Sequence, residues 1–191
     1  MSTLFDSEVP AATTAAGPPA LRILGLDLSI GATGICLADG RTLTVKPKAK
    51  GDARLNEIRG HIGASITATG EPVELVVMED VPSTMQGAAG KVIPMLHGTV
   101  RAMLLDIGLP YVVIAPATLK AYATGKGNAD KTAMAMAAYK RAEIEFGDDN
   151  QCDAWWLRAA GLDWYGQPEF TLPQAQRERL TKAVWPAEVT R

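Results

Sequence analysis

Histidine and cysteine are scarce, with 2 of each in 191 residues. Cys36 and Cys152 lie far apart and offer neither a disulfide framework nor the paired spacing of a zinc site, so both read as small buried residues. His61 and His97 are too few for a histidine-rich metal centre, and any metal chemistry must rest on carboxylates. No stretch approaches the roughly 18 apolar residues of a membrane span, which excludes a membrane-spanning helix. The first 20 residues hold no Lys or Arg and so lack the basic start of a secretory signal. Their Ala, Thr and Pro content marks residues 1–20 as a flexible leader, and cytoplasmic residence is the default expectation. The net charge is only −2, which excludes an evenly basic nucleic-acid binder but not a local basic face.

What is present is ordinary for a globular domain: 47% hydrophobic and 21% charged residues, in a length that suits one domain with appended ends. Residues 23–27 form an apolar run ending in Asp27, and residues 34–38 form a second one. Asp39-Gly40 is a tight-turn signal, after which residues 42–45 can return as a third, antiparallel strand. Leu55, Ile58, Ile62 and Ile66 recur at helical spacing across residues 52–69, with His61 beside the stripe. Residues 73–78 read as a buried strand that ends in Glu79 and Asp80. Gly87 to Gly90 make a flexible approach to a helix over residues 91–107, with Pro94 either near its first turn or kinking it. A strand at residues 111–114 precedes a short helix from Pro116 to Tyr122. The Gly-rich loop Thr124 to Asn128 leads to a helix from Asp130 to Glu145, with Ala133, Met136 and Ala137 inward and Gly147 closing it. A last helix runs from Asp148 or Asp149 to about Leu162, and a short one is expected over residues 173–184. The order predicts an α/β fold with a mixed five-stranded central sheet, three antiparallel strands and then two parallel ones, flanked by helices.

Asp27 either caps the turn from Ser29 to Gly34 or binds a cation, because an unpaired carboxylate at the end of a core strand is costly to bury. Glu79 repeats its position at a second strand end. In the last helix, residues three and four apart share a face, so Asp153 lies with Asp149 and Asn150 while Asp148 points away. Acids brought together repel unless a cation intervenes. A Mg²⁺ site made of a few carboxylates, water and phosphate oxygens meets that need.

These segments resemble the RuvC family of Holliday junction resolvases, of phage type, within the RNase H-like superfamily. The resemblance runs from about Arg22 to Leu162 and rests on GLDLSIGATG, VVMEDVP, PMLHGTVRAM, APATLKAYATGKGNADKTAM and DNQCDAWWL in family order. It implies an RNase H-like nuclease domain at 21–164, leaving residues 165–191 as a tail. It further implies Asp27, Glu79 and Asp153 as metal ligands, and a homodimer paired through the helix around Leu96 to Ile107. The family usually carries Asp or His where this chain has Asn150, and Asp149, one residue earlier, is the substitute the spacing allows. The aromatic wedge that bacterial members carry after the second acid is replaced here by Val81, Pro82 and Ser83.

Lys120, Lys126, Lys131, Lys140 and Arg141 stand against the single acid Asp130 between residues 115 and 141. Lysines around a glycine-rich loop suit phosphate. In the family's pattern Lys120 and Lys131 hold the DNA backbone; Lys126 and Arg101 are further candidates for the same surface. Trp155, Trp156, Trp164 and Trp185 read as core rather than as base-stacking residues. The expected function is a Mg²⁺-dependent endonuclease, with Mn²⁺ as substitute, that cuts four-way DNA junctions. Asp27 would bridge two ions, with Glu79, Asp149 and Asp153 completing the cage, and the family implies 5′ phosphate and 3′ hydroxyl products. Two alternatives stand beside it: a junction-binding protein without catalysis, and an actin-like ATPase relative, for which the length leaves little room.

Overall fold

The computed structural model describes residues 20–81, 87, 89–187 and 189. Residues 1–19 of the expected leader, Pro82 and Ser83 of the region that replaces the wedge, and Ala88 of the glycine-rich approach lie outside them.

Strand β1 (Ile23–Asp27) is the centre of the sheet because its apolar residues find partners on both sides: Ile23, Leu24 and Leu26 are fully buried. It pairs antiparallel with β2 (Thr33–Cys36), which pairs antiparallel with β3 (Thr42–Val45). The Asp39-Gly40 turn between β2 and β3 closes through Leu37 N donating to Arg41 O at 2.8 Å, with Gly40 at φ 88°. On its other side β1 pairs in parallel with β4 (Leu75–Glu79), and β4 with β5 (Tyr111–Ile114). The 5-stranded sheet therefore has the order β3-β2-β1-β4-β5, with the mixture of directions that the order of elements predicts. The parallel pairs require crossovers, which are supplied by α1 (Asp52–Ser65) and α2 (Ala89–Asp106). Helices α3 (Pro116–Thr124), α4 (Lys131–Ala142) and α5 (Asp149–Trp164) follow. Among the described residues no helix is long and apolar enough to cross a membrane.

Side chains alternate across a strand with a period of two, and here that alternation divides the core. Leu24, Leu26, Val76 and Met78 pack with Ile58 and Ile62 of α1 and Leu96, Val100 and Leu104 of α2. Ile23, Leu75, Val77, Val112 and Ile114 pack on the opposite face with α3, α4 and α5. The same alternation carries Asp27 and Glu79, the last residues of β1 and β4, onto the α5 face.

Helix α5 lies unusually close to the sheet. A Cβ on Gly25 would fall on the Ala154 carbonyl oxygen and 2.9 Å from Arg158 N, and one on Gly34 would fall on the Asn150 carbonyl. Gly161 completes the fit from the helix side, since a Cβ there would meet Ile23 Cδ1 and Val77 Cγ2 at 2.9 Å. Trp155 and Trp156 are buried as core, their rings 4.9 Å apart, and Trp156 Nε1 donates to Met134 O at 3.2 Å.

Several expected boundaries shift. Helix α1 stops at Ser65 rather than residue 69, and Pro94 falls in the second turn of α2. Helix α4 ends at Ala142, well before Gly147, because Glu143 takes a left-handed conformation (φ 56°) and its N–H closes on Tyr139 O. Its inner stripe is Met134, Ala137 and Ala138; Ala133 and Met136 face outward. The run MAMAA leaves two phases equally apolar, and packing against Trp156 selects between them. The residues after α5 pack back onto the domain. Phe170 stacks on Trp155 at 5.3 Å, Leu172 and Leu180 are buried, and Leu21 N donates to Gln167 Oε1 at 2.7 Å. The expected short helix here is α6 (Gln174–Arg177), continued by a 3₁₀ turn (Glu178–Lys182).

Because backbone rather than a flexible side chain opposes the added methyl, Gly25→Ala and Gly34→Ala are each expected to lower the unfolding free energy by about 1 to 3 kcal/mol or more. Gly31→Ala, whose Cβ would meet nothing within 4 Å, should stay within about 0.5 kcal/mol of wild type. Urea denaturation of the three variants checks both statements.

Candidate active site

The register of β1 and β4 pairs Leu26 with Met78, and one further step sets Asp27 beside Glu79. Both acids stand at the carboxyl ends of neighbouring parallel strands, the edge where ligands bind in open α/β sheets. Asp153 comes down on them from α5, one residue before the Ala154 carbonyl that rests on Gly25. Asn150, one turn earlier, rests on Gly34, the β2 residue that pairs with Asp27. In the amide orientation that satisfies its surroundings, Asn150 Nδ2 donates to Asp27 Oδ2 at 3.2 Å and to Ala32 O at 3.3 Å. Asp27, Glu79, Asn150 and Asp153 share a cleft of about 410 Å³ with Asp80, His97, Lys120 and Lys131. The turn after β1 is tied by Thr33 Oγ1, which donates to Ser29 O at 2.6 Å, and by Ser29 Oγ accepting from Gly31 N at 3.4 Å. That turn is thus tied without Asp27, whose carboxylate faces the cleft.

Burial pushes all three carboxyls up, Asp27 to about 7, Glu79 to about 8 and Asp153 to about 6. Repulsion adds to it: Asp153 raises Asp27, and both raise Glu79. The lysines act in the opposite sense, Lys131 on Asp27 and Asp153, and Lys120 on Glu79 and Asp153. A desolvated acid cluster of this kind fits a hard divalent cation, which takes oxygen ligands and offsets the repulsion. Among the described residues no three His, Cys, Asp or Glu side chains form a ready-made cage.

The other expected site residues fall in different places. Asp149 is absent from the cleft lining; it pairs with Lys131 and borders an adjoining cavity with Asp148 and Cys152. The phase of α5 is the reason. Asp148 is the N-cap, accepting from Gln151 N at 3.0 Å and from Thr44 Oγ1 at 2.7 Å, and from that start Asn150 and Asp153 face the sheet while Asp149 turns away. Of the two candidates for the fourth position, Asn150 lines the cleft and Asp149 does not. Lys120 and Lys131 border the cleft, but Lys126 lies on a separate groove. Arg101 is engaged by Asp80, Nη2 to Oδ1 at 3.4 Å.

Sequence reasoning missed Asp80 and His97 as cleft residues. Asp80 directly follows Glu79 and lines the same cleft just past the end of β4, where strand alternation gives no signal for it. His97 sits four residues after Ile93, inside the buried stripe of α2; burial, and then Arg101, lower it to about 4, so it is neutral near pH 7.

No protein-family model matches the sequence, and comparison with curated proteins finds no match. Solved structures do match. The Thermus thermophilus RuvC structure superimposes with a TM-score of 0.59 at 17% identity, covering 79% of this chain and 100% of that one. T. thermophilus RuvC in complex with a Holliday junction substrate gives 0.61 at 17% identity, over 79% and 99%. The yeast mitochondrial Holliday junction resolvase Ydc2 gives 0.47 at 14% identity, over 88% and 83%. The protein thus has an RNase H-like fold. Within that class its architecture is RuvC-like.

The raised carboxyls have a defined linkage sign. Their protons are bound more tightly in the folded chain, so the stability they contribute is fully present below the unfolded values of 3.8 to 4.5 and is lost as pH rises through about 6 to 8. In chelator, Asp27→Asn should therefore melt increasingly above wild type as pH goes from 5 to 8. Melting curves at several pH values test this, and a gap that shrinks with pH contradicts the shifts.

Proposed function

We propose that this protein is a divalent-metal-dependent endonuclease that cuts branched DNA, with the four-way junction as substrate and Mg²⁺, or Mn²⁺ in its place, as cofactor. One observation carries the reading: Asp27, Glu79 and Asp153, from two adjacent strand ends and a crossing helix, meet in one cleft with Lys120 and Lys131 on its border. The fold shared with RuvC, whose structure with a Holliday junction is known, supports the choice of substrate.

Bound in the cleft, divalent cations would activate water and stabilise the leaving oxygen of a phosphodiester. Asp27, Glu79 and Asp153 would hold the ions through their carboxylates. Asn150 would orient Asp27 through its amide nitrogen. Lys120 and Lys131 hold the scissile phosphate in line, leaving 5′ phosphate and 3′ hydroxyl ends. Cutting opposed strands of a junction requires two copies. We assign their pairing to the outward side of α2 and the turn that follows it, where Met95, Leu105 and, just past the helix, Ile107 are exposed, since Leu96, Val100 and Leu104 are committed to the core.

A second reading, a junction-binding protein without catalysis, is favoured by the amide of Asn150 where a fourth acid would stand. A synthetic four-way junction separates the two. Cleavage in Mg²⁺ that Asp27→Asn abolishes supports the nuclease; tight binding with no cutting in Mg²⁺ or Mn²⁺ supports the alternative. Asn150→Ala should reduce cutting about 10- to 100-fold, the usual effect of losing a group that orients a ligand, whereas Asp149→Asn should cost less. Independently of activity, MgCl₂ at pH 8 should raise the melting temperature of wild type and not of Asp27→Asn.

A further inference from the structure

The hairpin of α3 and α4 carries a second basic feature away from the cleft. Lys126, Lys140 and Arg141 border a groove of about 470 Å³ with Thr124, Asn128 and Asp130. Its one acid is occupied, because Asp130 Oδ1 caps α4 by accepting from Ala133 N at 2.8 Å. Among the described residues none of the three cations forms an ion pair, whereas Lys131, Arg101, Arg158 and Arg177 all do. The groove therefore keeps an uncompensated positive charge in a chain of net −2.

Its supports are fixed. Arg141 donates from Nη1 to Ala137 O and from Nη2 to Gln176 Oε1, both at 3.4 Å. Gln176 is buried and donates to Tyr122 O at 2.8 Å, so the guanidinium is anchored through α6 to the core. Lys126 sits on a loop closed by its own N–H to Thr124 Oγ1 at 3.1 Å, with Gly125 left-handed at φ 85°. Lys140 stands nine residues beyond Lys131 on α4, about 13 Å along the axis at 1.5 Å per residue. Nine residues are about two and a half turns, so the two side chains leave opposite faces of the helix. A phosphate held by Lys131 at the cleft and one held by Lys140 thus belong to different stretches of backbone.

We infer that this groove is a second nucleic-acid site, which holds the sugar-phosphate backbone of a duplex arm while the cleft holds the strand to be cut. The inference rests on the nuclease reading for the identity of its ligand. The groove's donors are point charges, a guanidinium and small polar groups, which contact phosphate without reading bases, so it grips an arm irrespective of sequence.

The test uses the full chain in chelator, with fluorescence anisotropy on a four-way junction, a linear duplex and a single-stranded oligonucleotide over a range of salt. Lys126→Gln/Lys140→Gln should weaken junction and duplex binding about tenfold or more near 0.1 M salt. It should also flatten the slope of log K against log salt by about 1.8, or 0.9 per lost phosphate contact. Single-strand binding should change little. Lys140→Glu, at an exposed position without a partner, repeats the test with little risk to folding. Unchanged slope and affinity in a protein whose wild type cuts the junction overturns the groove and leaves the nuclease intact; equal loss on the single strand also overturns it. Groove-dependent duplex binding in a wild type that cuts no junction overturns the nuclease reading alone, and a wild type that binds no duplex overturns the groove.

Discussion

Everything at the acidic cleft depends on the direct seating of α5 on bare backbone. Gly25 and Gly34 leave no side chain between sheet and helix, so the carbonyls of Ala154 and Asn150 rest where a Cβ would otherwise be, and Gly161 lets the far end settle against Ile23 and Val77. Packed interiors transmit small changes because they hold few voids. A helix held a methyl group farther out would carry Asp153 and Asn150 away from Asp27. The contact also fixes helix phase, and phase decides which of two consecutive residues, Asp149 or Asn150, enters the site.

The cleft is bought with stability. Three carboxyls sit where burial and mutual repulsion oppose their charged forms, and the two cleft lysines only partly offset this. The compensation comes from the rest of the α5 face: Trp155 and Trp156 with Tyr122 and Phe170, and the Asp163 carboxylate, buried but taken by Arg177 and Tyr122. One helix thus carries strain at its first turns and dense aromatic packing beyond them.

Much of this was legible in the chain. Strong apolar runs bounded by turn residues defined β1, β3 and β5 to the residue, and two strands ending in acid located Asp27 and Glu79. The less legible parts share a cause: two local solutions of equal merit. MAMAA can present either stripe of α4, and spacings of three and four residues both put an acid or amide beside Asp153. In each case a distant partner decided, Trp156 for α4 and the Gly34 backbone for Asn150. The packing of the residues after α5 was hidden for a related reason. Phe170, Leu172 and Leu180 are spaced irregularly, and nothing local reveals that they cover tryptophans.

The hydrogen bond from Leu21 N to Gln167 Oε1 has a topological meaning. The chain enters the sheet and leaves α5 at the same spot, so the fold between those points is nearly a closed loop, and the segment beyond is a strap laid back across it. A unit whose two ends meet can be spliced into a surface loop of another protein without being stretched open. Here the strap would have to travel with it, because Leu172, Leu180 and Gln176 close the face on which α3 and α5 are packed.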